Sequence, residues 1–236
     1  MILDLQLDYS NTFATKALKY ILENLYVKLK VNNLQENSGK KFLDYIMIDG
    51  LIGGNQDWLP EWDMHMGGCA AVTACDVCMY LAARKNFSSL YPFDCRKITR
   101  SDFVRFSAIM KPYLTPRYHG IDFLEIYLLG LSQYWRDVKF ADYKLEGLSG
   151  FVNFQIAREA LIDQIDRDLP VPYLMLNHSD PKFDELEWHW FILGGYELHG
   201  ENIFARVITY GEDYMVDFEK LWNTGQERRG GLVRIF

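Results

Sequence analysis

The feature that most constrains the fold is an apolar stretch that begins at Cys69, directly after two glycines. From Ala70 to Arg84 the chain contains neither Gly nor Pro, and its alanines and leucine favour a helix of about four turns. Gly67 and Gly68 let the backbone turn sharply before that helix. The sequence therefore predicts a helix whose first turn carries a cysteine.

The predicted position of Cys69 favours a reactive thiol. Amides at a helix start are unpaired and carry positive partial charge, which stabilises a thiolate and lowers the thiol pKa. We therefore expect the pKa of Cys69 to lie well below the values for Cys75, Cys78 and Cys95. The alternative interpretation is a small core residue, because free cysteine is among the most buried residue types.

A thiol nucleophile needs a base, and the chain contains five histidines. His189 is the strongest candidate, because the residues after it alternate in the pattern of a packed strand. A buried imidazole at the start of such a strand is held in one orientation, as a general base beside a thiol requires. A structural histidine bonded to backbone is the alternative. The other four lie in predicted loops or turns: His65, His119, His178 and His199.

The predicted elements change along the chain from helices to strands. Helices are predicted over residues 12–29, 70–84, 101–110, 121–138, 154–168 and 215–222. Strands are predicted over residues 2–7, 170–177, 188–195, 203–210 and 232–236, whereas 142–149 has the composition of a loop. Late clustering of strands indicates the α+β class. We expect one domain over residues 1–236 in two lobes, with 1–150 mostly helical and 151–236 forming an antiparallel sheet.

Composition excludes several classes of protein and site. The formal net charge is −7 and Lys and Arg do not cluster, so no nucleic-acid partner is expected. No apolar run approaches the roughly 20 residues of a membrane helix, and no signal peptide is evident. The cysteine spacing does not suit a secreted disulfide framework, which indicates a cytoplasmic protein. Cys75 and Cys78 have C-x-x-C spacing but fall inside the predicted helix, so neither a metal nor a cofactor is expected.

Three segments have a pattern in common with one enzyme family. Gly68-Cys69-Ala70-Ala71 opens the apolar helix, and Leu169-Pro170-Val171-Pro172 leads from a helix into a strand. His189 precedes four apolar residues and then Gly194-Gly195-Tyr196. Together these segments, within residues 56–222, resemble the C39-like cysteine peptidases of the papain-like fold. The resemblance implies that Cys69 is the nucleophile and His189 its base, and it leaves residues 1–49 unassigned.

The resemblance also implies two supporting residues. Family members carry a glutamine ahead of the cysteine whose amide binds the oxyanion. Gln56 is the best match, and Asn55 is its rival. Members also orient the histidine with an aspartate on the next strand, a place that Thr209 takes here. A threonine can accept a hydrogen bond but brings no charge, so Glu212 and Asp213 are alternatives for this role.

The function that the resemblance implies is a cysteine-dependent hydrolase acting on a peptide or amide. The Cys69 thiolate attacks the carbonyl, Gln56 and the Cys69 amide bind the oxyanion, and His189 protonates the leaving amine. An acyltransferase with the same residues is the alternative among enzymes. A catalytically inactive binding protein on the same fold is the alternative outside them, because the family's aspartate is absent.

Overall fold

A computed structural model describes residues 39–236, in which helices pack against an antiparallel sheet. The strand expected over residues 2–7 and the helix expected over 12–29 lie outside the described residues. The α+β class is confirmed for the described part of the chain.

Nine strands are present among the described residues. They are β1 Lys40–Phe42, β2 Met47–Ile48, β3 Leu51–Ile52, β4 Leu145–Ser149, β5 Val171–Met175, β6 His189–His199, β7 Asn202–Thr209, β8 Glu212–Asp217 and β9 Gly230–Ile235. The main sheet has the order β4-β9-β5-β6-β7-β8, and β1 pairs with the far end of β6. All of these pairings are antiparallel, and β2 and β3 form a separate hairpin. Because β1 and β4 come from the first 150 residues, both expected lobes contribute to the sheet.

Six α-helices surround the sheet in the described part of the chain. They are α1 Trp62–Gly67, α2 Cys69–Arg84, α3 Arg100–Met110, α4 Leu124–Asp137, α5 Phe154–Asp166 and α6 Phe218–Trp222. Helix α2 begins at the predicted residue and packs against β6, and every side chain from 69 to 82 is buried. An apolar helix of this kind is stable only inside a core. Within residues 39–236 no helix has both the length and the apolar character that crossing a bilayer requires.

Two predicted elements are wrong. Residues 142–149 are not all loop, because Leu145–Ser149 form β4 and pair with β9. Gly147 interrupts the alternation that would have indicated this strand. Residues 215–222 are not a single helix, because β8 continues to Asp217 and pairs with β7 before α6 begins. Asp217 accepts a hydrogen bond from the Lys220 amide and so caps the short helix that remains.

Candidate active site

Cys69 is the first residue of α2, at a sharp junction with α1. The Gly68 amide donates to the Met64 carbonyl at 2.9 Å, so α1 ends where α2 begins. A Cβ atom on Gly68 would lie 2.3 Å from that carbonyl oxygen, although the φ angle of −81° is one that any residue adopts. Glycine is therefore required at this position for space rather than for an unusual backbone angle.

Burial dominates the acidity of the Cys69 thiol. The side chain is only 5% exposed, and burial raises its pKa. The backbone amides of Trp190, Ala70 and Cys69 itself act in the opposite direction. The predicted depression of this pKa is therefore wrong, because the loss of water outweighs the amides at the helix start. Burial raises the pKa of Cys75 well above its ordinary value and that of Cys78 to about 12.

His189 is the first residue of β6 and its ring is buried. Its Nε2 atom lies 2.8 Å from the Thr209 hydroxyl on the adjacent strand β7. Burial lowers the pKa of His189 to about 4, so the imidazole is neutral at pH 7. In the tautomer with the proton on Nε2, this nitrogen donates to Thr209 and Nδ1 keeps a free lone pair.

Tyr210 also holds the histidine ring in place. The Tyr210 and His189 rings are stacked, with centroids 4.9 Å apart and planes 7° from parallel. Tyr210 and Gly211 form the two-residue turn between β7 and β8, and both have positive φ, as a type I′ turn requires. The sequence reasoning missed Tyr210. Its signal was a Tyr-Gly pair at the end of the strand predicted over residues 203–210.

Tyr210 lies near Cys69 as well as His189. The Tyr210 pKa is raised to about 12, first by burial and then by the neighbouring Cys69 and Asp57 charges. The Trp190 amide that faces the thiol belongs to the residue after His189. The Cys69 thiol therefore lies at the start of β6, beside the residues that hold the imidazole.

Thr209 and its acidic alternatives, Glu212 and Asp213, have different contacts in the structure. The Asp213 carboxylate is paired with Arg206 at 2.7 Å. Glu212 is exposed and lines an open groove with Glu185, Thr209 and Tyr210. Of the three candidates, Thr209 is the one that forms a hydrogen bond with the histidine.

The structure likewise separates Gln56 from Asn55. Asn55 caps a short 3₁₀ helix, Gln56–Trp58, and its amide donates to the Tyr210 carbonyl at 3.0 Å. Gln56 is buried, and its Nε2 donates one hydrogen to the His65 carbonyl at 2.7 Å. An amide nitrogen carries two hydrogens, so one remains for a ligand. The Gln56 Oε1 atom is buried and has no hydrogen-bond partner in the part of the chain that the structure describes.

One narrow cavity brings the four sequence-predicted residues together. Cys69, His189, Gln56 and Thr209 all line it, with Tyr210 at one side. The remaining histidines have other surroundings: His178 bonds to the Lys220 carbonyl and the Asp180 amide, and His65, His119 and His199 are exposed. Among residues 39–236, no three His, Cys, Asp or Glu side chains are arranged to hold a metal ion.

Comparisons of the chain with protein-family models, with curated proteins and with solved structures find no match.

Proposed function

We propose that the protein is a cysteine-dependent hydrolase that cleaves a peptide or amide bond on a papain-like fold. The observation that carries the proposal is the shared cavity of Cys69, His189, Gln56 and Thr209. These side chains supply a nucleophile, a base, an oxyanion donor and a group that orients the base, which together meet the needs of acyl transfer from an amide.

The first step of the proposed reaction starts from a neutral pair. Burial disfavours both the Cys69 thiolate and the His189 imidazolium. His189 Nε2 is occupied by Thr209, so Nδ1 is the atom that accepts the thiol proton as Sγ bonds to the substrate carbonyl carbon. The carbonyl π electrons move to oxygen, and the tetrahedral intermediate carries a negative charge there.

The oxyanion has two donors in this proposal. One is the Gln56 Nε2 hydrogen that His65 does not use, and the other is the Cys69 backbone amide at the start of α2. Donors fixed in advance toward a developing charge are worth about 3 kcal/mol each in a site that excludes water.

The intermediate then collapses to a thioester. The imidazolium of His189 donates its proton to the amine nitrogen as the carbon–nitrogen bond breaks. Water attacks the thioester carbonyl, His189 accepts the water proton, and the Cys69 thiol leaves with a proton as the acid is released. An acyltransferase would share the first half of this reaction, with an amine or alcohol in place of water.

A chromogenic ester tests the proposal. p-Nitrophenyl acetate should acetylate Cys69 in an initial burst of one equivalent of p-nitrophenolate, followed by slower turnover as water hydrolyses the thioester, with the modified residue identified by mass spectrometry. Cys69→Ala should abolish this reaction, and His189→Ala should slow it by roughly 100-fold or more. Cys95, the most accessible of the four cysteines, supplies the control. Cys95→Ser should leave the rate unchanged, and acetylation of Cys95 in place of Cys69 would contradict the proposal.

A further inference from the structure

Asp76 is a buried carboxyl group that the proposed reaction does not use. It lies on α2 seven residues after Cys69, which is about 20° from the same face of the helix. Its side chain is only 3% exposed and lines the cavity that Cys69 and His189 line. Among residues 39–236, the titratable groups that face it are the Tyr45 and Tyr127 phenols and the Cys75 thiol, none of which is a cation.

The main contact of Asp76 is with the loop that carries Gln56. Both carboxylate oxygens accept a hydrogen bond from the Gly54 amide, at 2.9 and 3.1 Å. A Cβ atom on Gly54 would lie 2.9 Å from Asp76 Oδ1 and 2.4 Å from the Phe103 ring. The loop therefore lies directly on the carboxylate, and only glycine can approach so closely.

The other anchors of this loop lie outside α2, and one of them is the His65 carbonyl on α1, which accepts the Gln56 side-chain hydrogen bond. The Gly53 amide donates to the Ile46 carbonyl at 3.0 Å, and the Asn55 side chain donates to the Tyr210 carbonyl at 3.0 Å. Asp76 is thus the group on the cysteine helix that holds the loop. Because Gln56 is two residues from Gly54, this contact and the hydrogen bond from Gln56 Nε2 to the His65 carbonyl together hold the Gln56 amide relative to the Cys69 thiol.

A carboxylate is costly to bury, so packing alone does not account for Asp76 at this position. Burial raises its pKa to about 7, against the opposing effects of the Gly54 amide and then the Tyr45 hydroxyl. The Tyr45 hydroxyl faces the carboxyl without the geometry of a hydrogen bond. An ionised group buried without a cation is costly, and strongly shifted carboxyls cluster at functional sites.

We propose that Asp76 is a positioning residue that holds Gly54 and thereby fixes the oxyanion donor Gln56 beside Cys69. This inference rests on the proposed function, because Gln56 matters only if Cys69 attacks a carbonyl group.

Two reagents separate oxyanion stabilisation from thiol reactivity. p-Nitrophenyl acetate reacts through an oxyanion, whereas iodoacetamide alkylates the sulfur by displacement and forms none. Both rates are measured at Cys69 by mass spectrometry, on the wild type, Asp76→Asn and Asp76→Ala. Unfolding curves are recorded in parallel for each protein.

The expected result is a selective loss of acylation. Asp76→Ala should acylate roughly 10- to 100-fold more slowly, because a displaced catalytic group loses rate steeply, while alkylation stays within about twofold. Asp76→Asn keeps one acceptor oxygen and should fall between the alanine variant and the wild type. In a Gln56→Ala background, Asp76→Ala should have no further effect on acylation.

The wild type supplies a test that does not depend on the variants folding. The ratio of acylation to alkylation should fall as the pH drops below about 7, because protonated Asp76 is a weaker acceptor. The tyrosines and Cys75 that face Asp76 have raised pKa values and stay neutral in this range, and the alkylation rate corrects for Cys69 and His189.

Four outcomes would overturn the inference. A folded Asp76→Ala protein that acylates at the wild-type rate overturns it and leaves the proposed function intact. A wild-type ratio that does not change with pH, or that changes equally in Gln56→Ala, also overturns it. If wild-type Cys69 is alkylated but never acylated, the proposed function fails and the inference fails with it.

Discussion

Thr209 is the neutral side chain that contacts the imidazole of the candidate site. Its hydroxyl lies 2.8 Å from His189 Nε2, and the Asp213 carboxylate nearby is already paired with Arg206. A hydroxyl orients the imidazole but adds little to the stability of an imidazolium. Burial lowers the pKa of His189 to about 4, and no charged group within residues 39–236 offsets that effect.

Substitution at Thr209 tests orientation against charge. Thr209→Val should slow acylation of Cys69 roughly tenfold, because it leaves a buried N–H group of His189 without an acceptor, a loss of about 1–2 kcal/mol. Thr209→Asp should retain or raise the rate and should raise the pKa of His189, measured by NMR titration of the ring. Asp213→Asn is the matched control and should be nearly silent. A large loss in that control, with none in Thr209→Val, would assign the orienting role to the carboxylate.

At the scale of elements, the junction between α1 and α2 places the nucleophile. Gly68→Ala would put a Cβ atom 2.3 Å from the Met64 carbonyl oxygen, so the first turn of α2 must shift. We expect a loss of at least about 2 kcal/mol in the free energy of unfolding, together with slower acylation of Cys69.

Gly67→Ala is the matched control for that junction. Its nearest new contact would be the Pro116 ring at 3.2 Å, which a small movement relieves. Urea unfolding of the two variants gives the comparison. Equal stability losses in both would show that the close approach at Gly68 does not govern the junction.

The turn between β7 and β8 contributes to the candidate site through the ring of Tyr210. Tyr210→Ala removes the stack on His189, worth about 0.5–1.5 kcal/mol, and should slow acylation several-fold. It should also raise the pKa of His189, because the ring becomes more hydrated. Tyr210→Phe keeps the stack and should behave as the wild type in both measurements. A Phe variant as slow as the Ala variant would indicate that the hydroxyl, rather than the ring, matters.

At the scale of the whole molecule, two buried groups give stability opposite dependences on pH. The pKa of Asp76 is raised from 3.8 to about 7 on folding, so its stabilising contribution is complete below pH 3.8 and is lost as the pH rises to 7. The pKa of His189 is lowered from 6.5 to about 4, so its contribution is complete above pH 6.5 and is lost as the pH falls to 4. Between pH 4 and 6.5 the two trends oppose each other.

Removing one group should expose the other trend. Asp76→Asn should become steadily less stable from pH 6.5 down to pH 4, by about 3 kcal/mol, because Asp76 no longer opposes the His189 dependence. The wild type should change much less over that range. Relative to the wild type, Asp76→Asn should gain roughly 4 kcal/mol between pH 4 and 8. Urea unfolding at fixed pH values measures both differences, and parallel curves for the two proteins would contradict the buried-charge argument.

The sequence allowed the cysteine helix and the histidine strand to be predicted because both have strong local signals. An uninterrupted apolar run marks α2, and alternation after His189 marks β6. The strands β4 and β8 were missed because pairing with β9 and β7 determines them, and their own residues carry weak patterns.

The main residues of the candidate site could also be predicted from the sequence. Cys69, His189, Gln56 and Thr209 were identified in advance, and the structure places them in one cavity. The sign of the Cys69 pKa shift was not, because the helix start is visible in the sequence whereas the burial that outweighs it depends on the packing of β6. Asp76 and Tyr210 were missed because their partners, Gly54 and His189, are distant in sequence.

The candidate site residues lie on the two sides of the interface between α2 and the sheet. Gln56, Cys69 and Asp76 belong to a continuous stretch around α2, whereas His189 and Thr209 belong to neighbouring strands of the sheet. A shear of α2 along β6 would therefore change the separation of thiol and imidazole. The Gln56 loop bonds to α2 through Asp76 and to the β7–β8 turn through Asn55, so it spans this interface and opposes such a movement.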